Sequence, residues 1–150
     1  MPEPASRGPF LRRAATGLLA LYWLTLVLAT HWPFKVPPQQ QPLFSKDKLL
    51  HFSAYAGLAF LFVTVAQIRR STIPGLRRRP LPIAALWLLA VTAGFLDEIT
   101  QPLTARDFEW WDWVADILGA TAGIFFGIVA GRRFWPVAEA YEDSRPEPSP

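Results

Sequence analysis

The sequence predicts an all-α polytopic membrane protein, a bundle of four transmembrane helices, and three observations carry that prediction. The apolar residues come in blocks rather than interleaved with charge, in a chain of 150 residues that is 51% hydrophobic and 18% charged. The four blocks, 14–30, 49–68, 81–97 and 113–131, each approach the ~20 residues that cross a hydrocarbon core, where backbone groups must be satisfied within a helix. All 15 prolines lie in the tails, in the connections or in the first residues of a span. Four buried core helices of a soluble protein are the alternative, and the block pattern disfavours them.

Residues 1–13 read as a cytoplasmic N-terminal tail, 14–131 as the transmembrane domain and 132–150 as a cytoplasmic, disordered tail rich in proline and charge. The first span, "AATGLLALYWLTLVLAT", reads as a retained helix, because "LATHWPF" turns aromatic where a signal peptide would offer a small-x-small cleavage site. The connection after it is expected to be extended, on account of Pro33, Pro37, Pro38 and Pro42. Span two leaves through "RRSTIPGLRRRP" into span three. Span four carries Gly119, Gly123, Gly127 and Gly131, a small residue every fourth position, which lets two helix backbones approach closely in lipid.

Arginine and lysine set the orientation. Arg7, Arg12, Arg13, Arg69, Arg70, Arg77, Arg78, Arg79, Arg132 and Arg133 fall on one side of a four-span topology; Lys35, Lys46, Lys48 and Arg106 fall on the other. Both termini are therefore expected in the cytoplasm. Trp32, Trp110, Trp111, Trp113 and Trp135 sit at predicted span ends, the interfacial position an indole prefers. The pI of about 9.7 reflects this topology signal, and no nucleic-acid partner is expected. With no cysteine there is no disulfide, thiol nucleophile or thiolate ligand.

Six of the 12 acidic residues crowd between Asp97 and Asp116, in and around the second outer connection. Three helical patterns converge there. Lys48, His51 and Tyr55 stand at i, i+3 and i+7, within roughly 60° of one another at about 100° per residue. Asp97 and Gln101 stand at i and i+4 with Glu98 beside them; Asp112 and Asp116 stand at i and i+4 in line with Gly119 and Gly123. Ionisable groups at membrane depth face a bundle interior or a wet cavity, so a single polar pocket open to the outside accounts for all three. Acids at the C-terminal end of a helix oppose its dipole and need a cation, which Arg106, Lys48 or a protonated His51 would supply. Asp107 and Glu109 read as solvated loop charge. A divalent ion between Asp97, Asp112 and Asp116 has no established ligand spacing behind it, so no metal and no cofactor are expected.

The pattern "DKLLHFSAYAGLAFL", then "DEITQ", then "RDFEWWDWVADILGATAG" resembles the VanZ-like family of bacterial membrane proteins, from about Asp47 to Gly127. The resemblance places the family's motif residues on Lys48, His51, Asp97, Glu98, Gln101, Arg106 and Asp112, and its small residues on Gly119 and Gly123. Asp116 departs from it, standing where the family commonly shows asparagine. The resemblance implies a multi-helix inner-membrane protein, and the founding member is associated with low-level resistance to the glycopeptide teicoplanin.

Three functions fit these residues. A non-enzymatic envelope protein would bind the headgroup of a membrane lipid or lipid-linked envelope precursor, or a glycopeptide, in the polar pocket. An enzyme would use His51 or a carboxylate as general acid or base on a lipid-linked substrate. A structural network would only pin the helices together. Neither a nucleophile elbow nor a phosphate-cradling glycine loop is present, so the reading leans away from an enzyme.

Overall fold

The computed structural model describes residues 7–32, 46–104 and 108–134. Four long helices follow one another: α1 Arg7–Thr30, α2 Lys46–Thr72, α3 Ile83–Thr100 and α4 Trp110–Phe134, with no strand among the described residues. All four are long and apolar enough to cross a membrane.

Each helix outruns its apolar block, for local reasons. Helix α1 starts at Arg7 and takes Pro9 into its first turn, where a missing N–H removes no helical hydrogen bond. Helix α2 reaches from Lys46 to Thr72, closing on Arg69 and Arg70, whose charge suits the C-terminal dipole; a 3₁₀ turn, Pro74–Leu76, follows. Helix α3 is preceded by Pro82 and tightens after Thr100 into a 3₁₀ turn, Gln101–Thr104, around Pro102. Helix α4 has Asp112 in its first turn and Arg132 and Arg133 in its last, so both ends complement the macrodipole.

Helix α2 is the hub, packing on α4, α1 and α3. Its tightest neighbour is α4, which runs parallel to it. A Cβ added at Gly119 would strike the Phe52 carbonyl, one at Gly123 the Ala56 carbonyl, and one at Gly127 would come within 2.8 Å of Val63 Cβ. The glycine face of span four is thus filled by α2, with backbone at Gly119 and Gly123 and the side chains of Val63 and Gln67 at Gly127 and Gly131. Helix α3 closes on α4 through Trp113 Nε1–H donating to Val91 O at 3.3 Å and Trp87 Nε1–H donating to Thr121 Oγ1 at 3.0 Å. Trp113 faces a helix neighbour there and also stacks near Phe95 at 5.4 Å. Helix α1 docks on α2, where Tyr22 donates to Ala54 O at 2.8 Å over Gly57.

The distribution of polarity is inverted relative to a soluble bundle. Leu18, Leu21, Leu24, Leu28, Leu88, Leu89, Leu118, Phe125 and Phe126 are exposed, whereas Lys48, His51, Asp97, Glu98, Gln101, Asp112 and Asp116 are buried. Such apolar surface is stable only against hydrocarbon. The protein is a multi-pass membrane protein, and its buried charge is gathered at one end of the bundle.

Candidate functional site

The end of the bundle that holds the acids is built by the starts of α2 and α4 and the ends of α1 and α3. Helix periodicity alone brings Lys48, His51 and Tyr55 inward on α2, one turn apart. The glycine contacts then seat α4 so close to α2 that Asp112 and Asp116 fall opposite them. Lys48 Nζ donates to Asp112 Oδ1 at 3.0 Å. One turn deeper, His51 Nδ1 lies 3.1 Å from Asp116 Oδ1 and 3.7 Å from Glu98 Oε1. The other ring nitrogen, Nε2, faces Asp112 Oδ2 at 3.9 Å. The imidazole stands between two sets of carboxylates. Tyr55, another turn down, lies within electrostatic reach of Asp97, Glu98 and Asp116.

Helix α3 contributes its last turn. Gln101 Nε2–H donates to Glu98 Oε1 at 2.8 Å, and the Glu109 backbone N–H donates to Glu98 Oε2 at 3.3 Å. Asp97 turns the other way, toward α1, where Thr30 Oγ1–H donates to its Oδ1 at 2.7 Å and His31 Nδ1 lies 3.5 Å off. His31 Nε2 in turn lies 2.9 Å from Thr100 Oγ1. The second oxygens of Asp97 and Asp116 are buried with no hydrogen-bond partner among the described residues.

The structure brings together Lys48, His51, Tyr55, Asp97, Glu98, Gln101, Asp112 and Asp116. Arg106 and Asp107 lie outside the described residues. One expectation is corrected: Glu109 is not merely solvated loop charge, for its Oε2 accepts from Lys48 Nζ at 3.1 Å while the side chain stays 41% exposed. Three residues escaped the sequence reading: Thr30, His31 and Thr100, through which α1 joins the network. The available signal was His31 itself, one of only 2 histidines in the chain and placed at the same end of the bundle as the acids.

A cavity of about 300 Å³ opens between α1 and α2 beside this network. Leu26, Ala29, Leu50 and Ala54 give it an apolar wall, and Thr30, Asp47, His51 and Tyr55 give it a polar end. Two trios set donor atoms within 4.8 Å of one another, as holding a cation requires: Asp47 with His51 and Asp112, and His51 with Glu98 and Asp116.

No family model, no curated protein and no solved structure matches the chain.

Proposed function

We propose that this is a VanZ-like protein of the bacterial inner membrane whose polar pocket, open to the outer face, binds the headgroup of a lipid or lipid-linked envelope precursor. The observation that carries the reading is the cavity between α1 and α2. An apolar wall suited to an acyl or prenyl chain leads into His51, Tyr55, Thr30 and Asp47, which offer donors and acceptors to a headgroup. Through such a ligand the protein would bear on glycopeptide (teicoplanin) susceptibility. At the opposite end, a wider cavity lined by Arg12, Arg13 and Arg69 supports contact with anionic lipid phosphates on the cytoplasmic side.

Co-purification tests the reading. Lipid extracted from the protein isolated in mild detergent is expected to contain one enriched lipid or polyprenyl species. His51→Ala is expected to reduce it at least several-fold while the helical circular dichroism stays unchanged. Equal, non-selective lipid in both proteins would leave only the structural network, a reading that the pairing of Lys48 with Asp112 also favours. A chemically altered lipid, formed by the wild type and not by His51→Ala, would move the assignment to acid/base catalysis.

Orientation has its own test. Leu103 is 83% exposed in the turn after α3, and the chain has no cysteine, so Leu103→Cys places a single thiol beside the site. It is expected to react with a membrane-impermeant maleimide added to intact cells or spheroplasts. Labelling only after permeabilisation would reverse the topology.

A further inference from the structure

The site holds two carboxylates that the cations among the described residues do not balance. Asp112 has Lys48, and Asp97 has Thr30 and His31. Glu98 and Asp116, both 0% exposed, share one imidazole among the described residues. Two carboxylates against at most one positive charge is an expensive arrangement at membrane depth, and a proton or a bound cation must make up the difference.

The geometry of the three groups suits a cation. His51 Nδ1 is 3.1 Å from Asp116 Oδ1 and 3.7 Å from Glu98 Oε1, and one donor atom from each residue falls within 4.8 Å of the other two. Donors about 2.1 Å from a shared ion stand about 3.0 Å apart at neighbouring octahedral positions and about 3.4 Å apart in a tetrahedron. The 3.1 Å separation is close to the octahedral spacing and the 3.7 Å one is a little longer than the tetrahedral spacing, so small rotations of the carboxylates suffice. Asp116 also brings a buried oxygen, Oδ2, that has no hydrogen-bond partner among the described residues. Its carboxylate is wedged between His51 and α3: a Cβ added at Gly94 would stand 3.0 Å from Asp116 Cβ and Oδ2. Glycine at 94 leaves the room this carboxylate occupies.

On the far side of the ring, His51 Nε2 faces Asp112, which is itself held by Lys48. At 3.9 Å the pair is beyond hydrogen-bonding distance, and the carboxylate acts on the ring through its charge, favouring a proton on the distal nitrogen and leaving the proximal one to bind. Three helices each supply one donor, which is why no spacing along the sequence announces the trio.

We infer that His51 Nδ1, Glu98 and Asp116 form a binding site for one divalent first-row metal ion of the Zn²⁺ or Mn²⁺ class, with Asp112 orienting His51 from behind. One imidazole with two carboxylates suits these ions better than Ca²⁺ or Mg²⁺, which take oxygen alone. The ion and the two carboxylates sum to zero charge, so the loaded site leaves no excess inside the membrane. Three protein ligands also leave coordination positions open. The metal site stands without the headgroup reading; only the idea that a headgroup oxygen fills an open position depends on it.

The full chain, purified without a polyhistidine tag and stripped with chelator, is titrated with Zn²⁺ by calorimetry. One ion per chain is expected, with binding weakened at least about 100-fold in His51→Ala, Glu98→Gln and Asp116→Asn, and about 10-fold in Asp112→Asn. Glu109→Gln, which alters only the side chain that meets Lys48 and leaves the backbone N–H that Glu98 accepts from in place, is expected to leave the affinity within about threefold. Circular dichroism establishes that each variant is folded. The wild type alone gives a second readout: pulsed EPR of the Mn²⁺-loaded protein should detect one directly coordinated imidazole nitrogen. No stoichiometric binding by the wild type, affinity unchanged in both His51→Ala and Asp116→Asn, or an Mn²⁺ signal without coupled nitrogen would each overturn the site.

Discussion

Gly123→Ala and Gly119→Ala are each expected to force α4 away from α2 and to lower the stability of the folded protein by about 2 kcal/mol. The added methyl would land on the Ala56 carbonyl in the first case and on the Phe52 carbonyl in the second. Both obstacles are backbone in the middle of a helix, so neither can rotate aside. Overpacking of this kind costs about 1–3 kcal/mol and more when backbone must move, while the better helix propensity of alanine returns only about 1 kcal/mol. The loss therefore wins. Gly131→Ala carries the same propensity gain but meets only the amide end of Gln67, which swings away at the expense of its hydrogen bond to Gly127 O. That bond contributes about 1 kcal/mol, so Gly131→Ala is expected to be close to neutral. Thermal or denaturant unfolding in detergent separates the two outcomes. Equal stability at all three positions would mean that the glycine face does not set the helix spacing.

The same contact decides the site. Lys48 with Asp112, and His51 with Asp116, are pairs across the α2–α4 seam, so a shift of the seam by a methyl radius moves both beyond hydrogen-bonding distance. Packing and chemistry at this end of the bundle are one construction.

How much of this was legible in the sequence follows from the range of each interaction. The four helices were legible because lipid imposes apolar blocks of fixed length, and that rule is local. Which face of α2 turns inward was legible too, since Lys48, His51 and Tyr55 repeat at helical spacing. The role of Gly119 and Gly123 as close-approach positions came from their four-residue repeat. What escaped depends on tertiary juxtaposition. Glu109 lies just ahead of α4 and reads as loop charge until the start of α2 places Lys48 beside it. Thr30 and His31 look like the polar end of an ordinary span until the end of α1 meets the end of α3, where Asp97 accepts from Thr30 and Thr100 lies within hydrogen-bonding distance of His31. The span ends were blurred for a different reason: a helix persists beyond its apolar block wherever capping and charge allow, as at Arg7 and at Arg132 and Arg133.

Lys48→Met is expected to be the most damaging single change in the site, costing about 3–5 kcal/mol, because it strands Asp112 in a buried position without its cation. Both side chains are withdrawn from solvent, at 9% and 3% exposure, so water and salt stand in poorly for the lost partner, and His51 Nε2, 3.9 Å from Asp112, is too far to donate a hydrogen bond to it. The pair itself need not contribute that much; the cost lies in leaving one charge alone. Asp112→Asn placed on top of Lys48→Met removes the stranded charge, and the double variant is expected to recover at least about half of the loss. Glu109 provides the contrast. Its carboxylate also meets Lys48, at 3.1 Å, but is 41% exposed, and an ion pair half in solvent contributes about 0–1 kcal/mol. Glu109→Gln should therefore be nearly silent in the same unfolding assay. If Glu109→Gln proved as costly as Asp112→Asn, the exposed carboxylate and not the buried one would be the anchor of Lys48, and the network would have to be centred on the loop instead of on the α2–α4 seam.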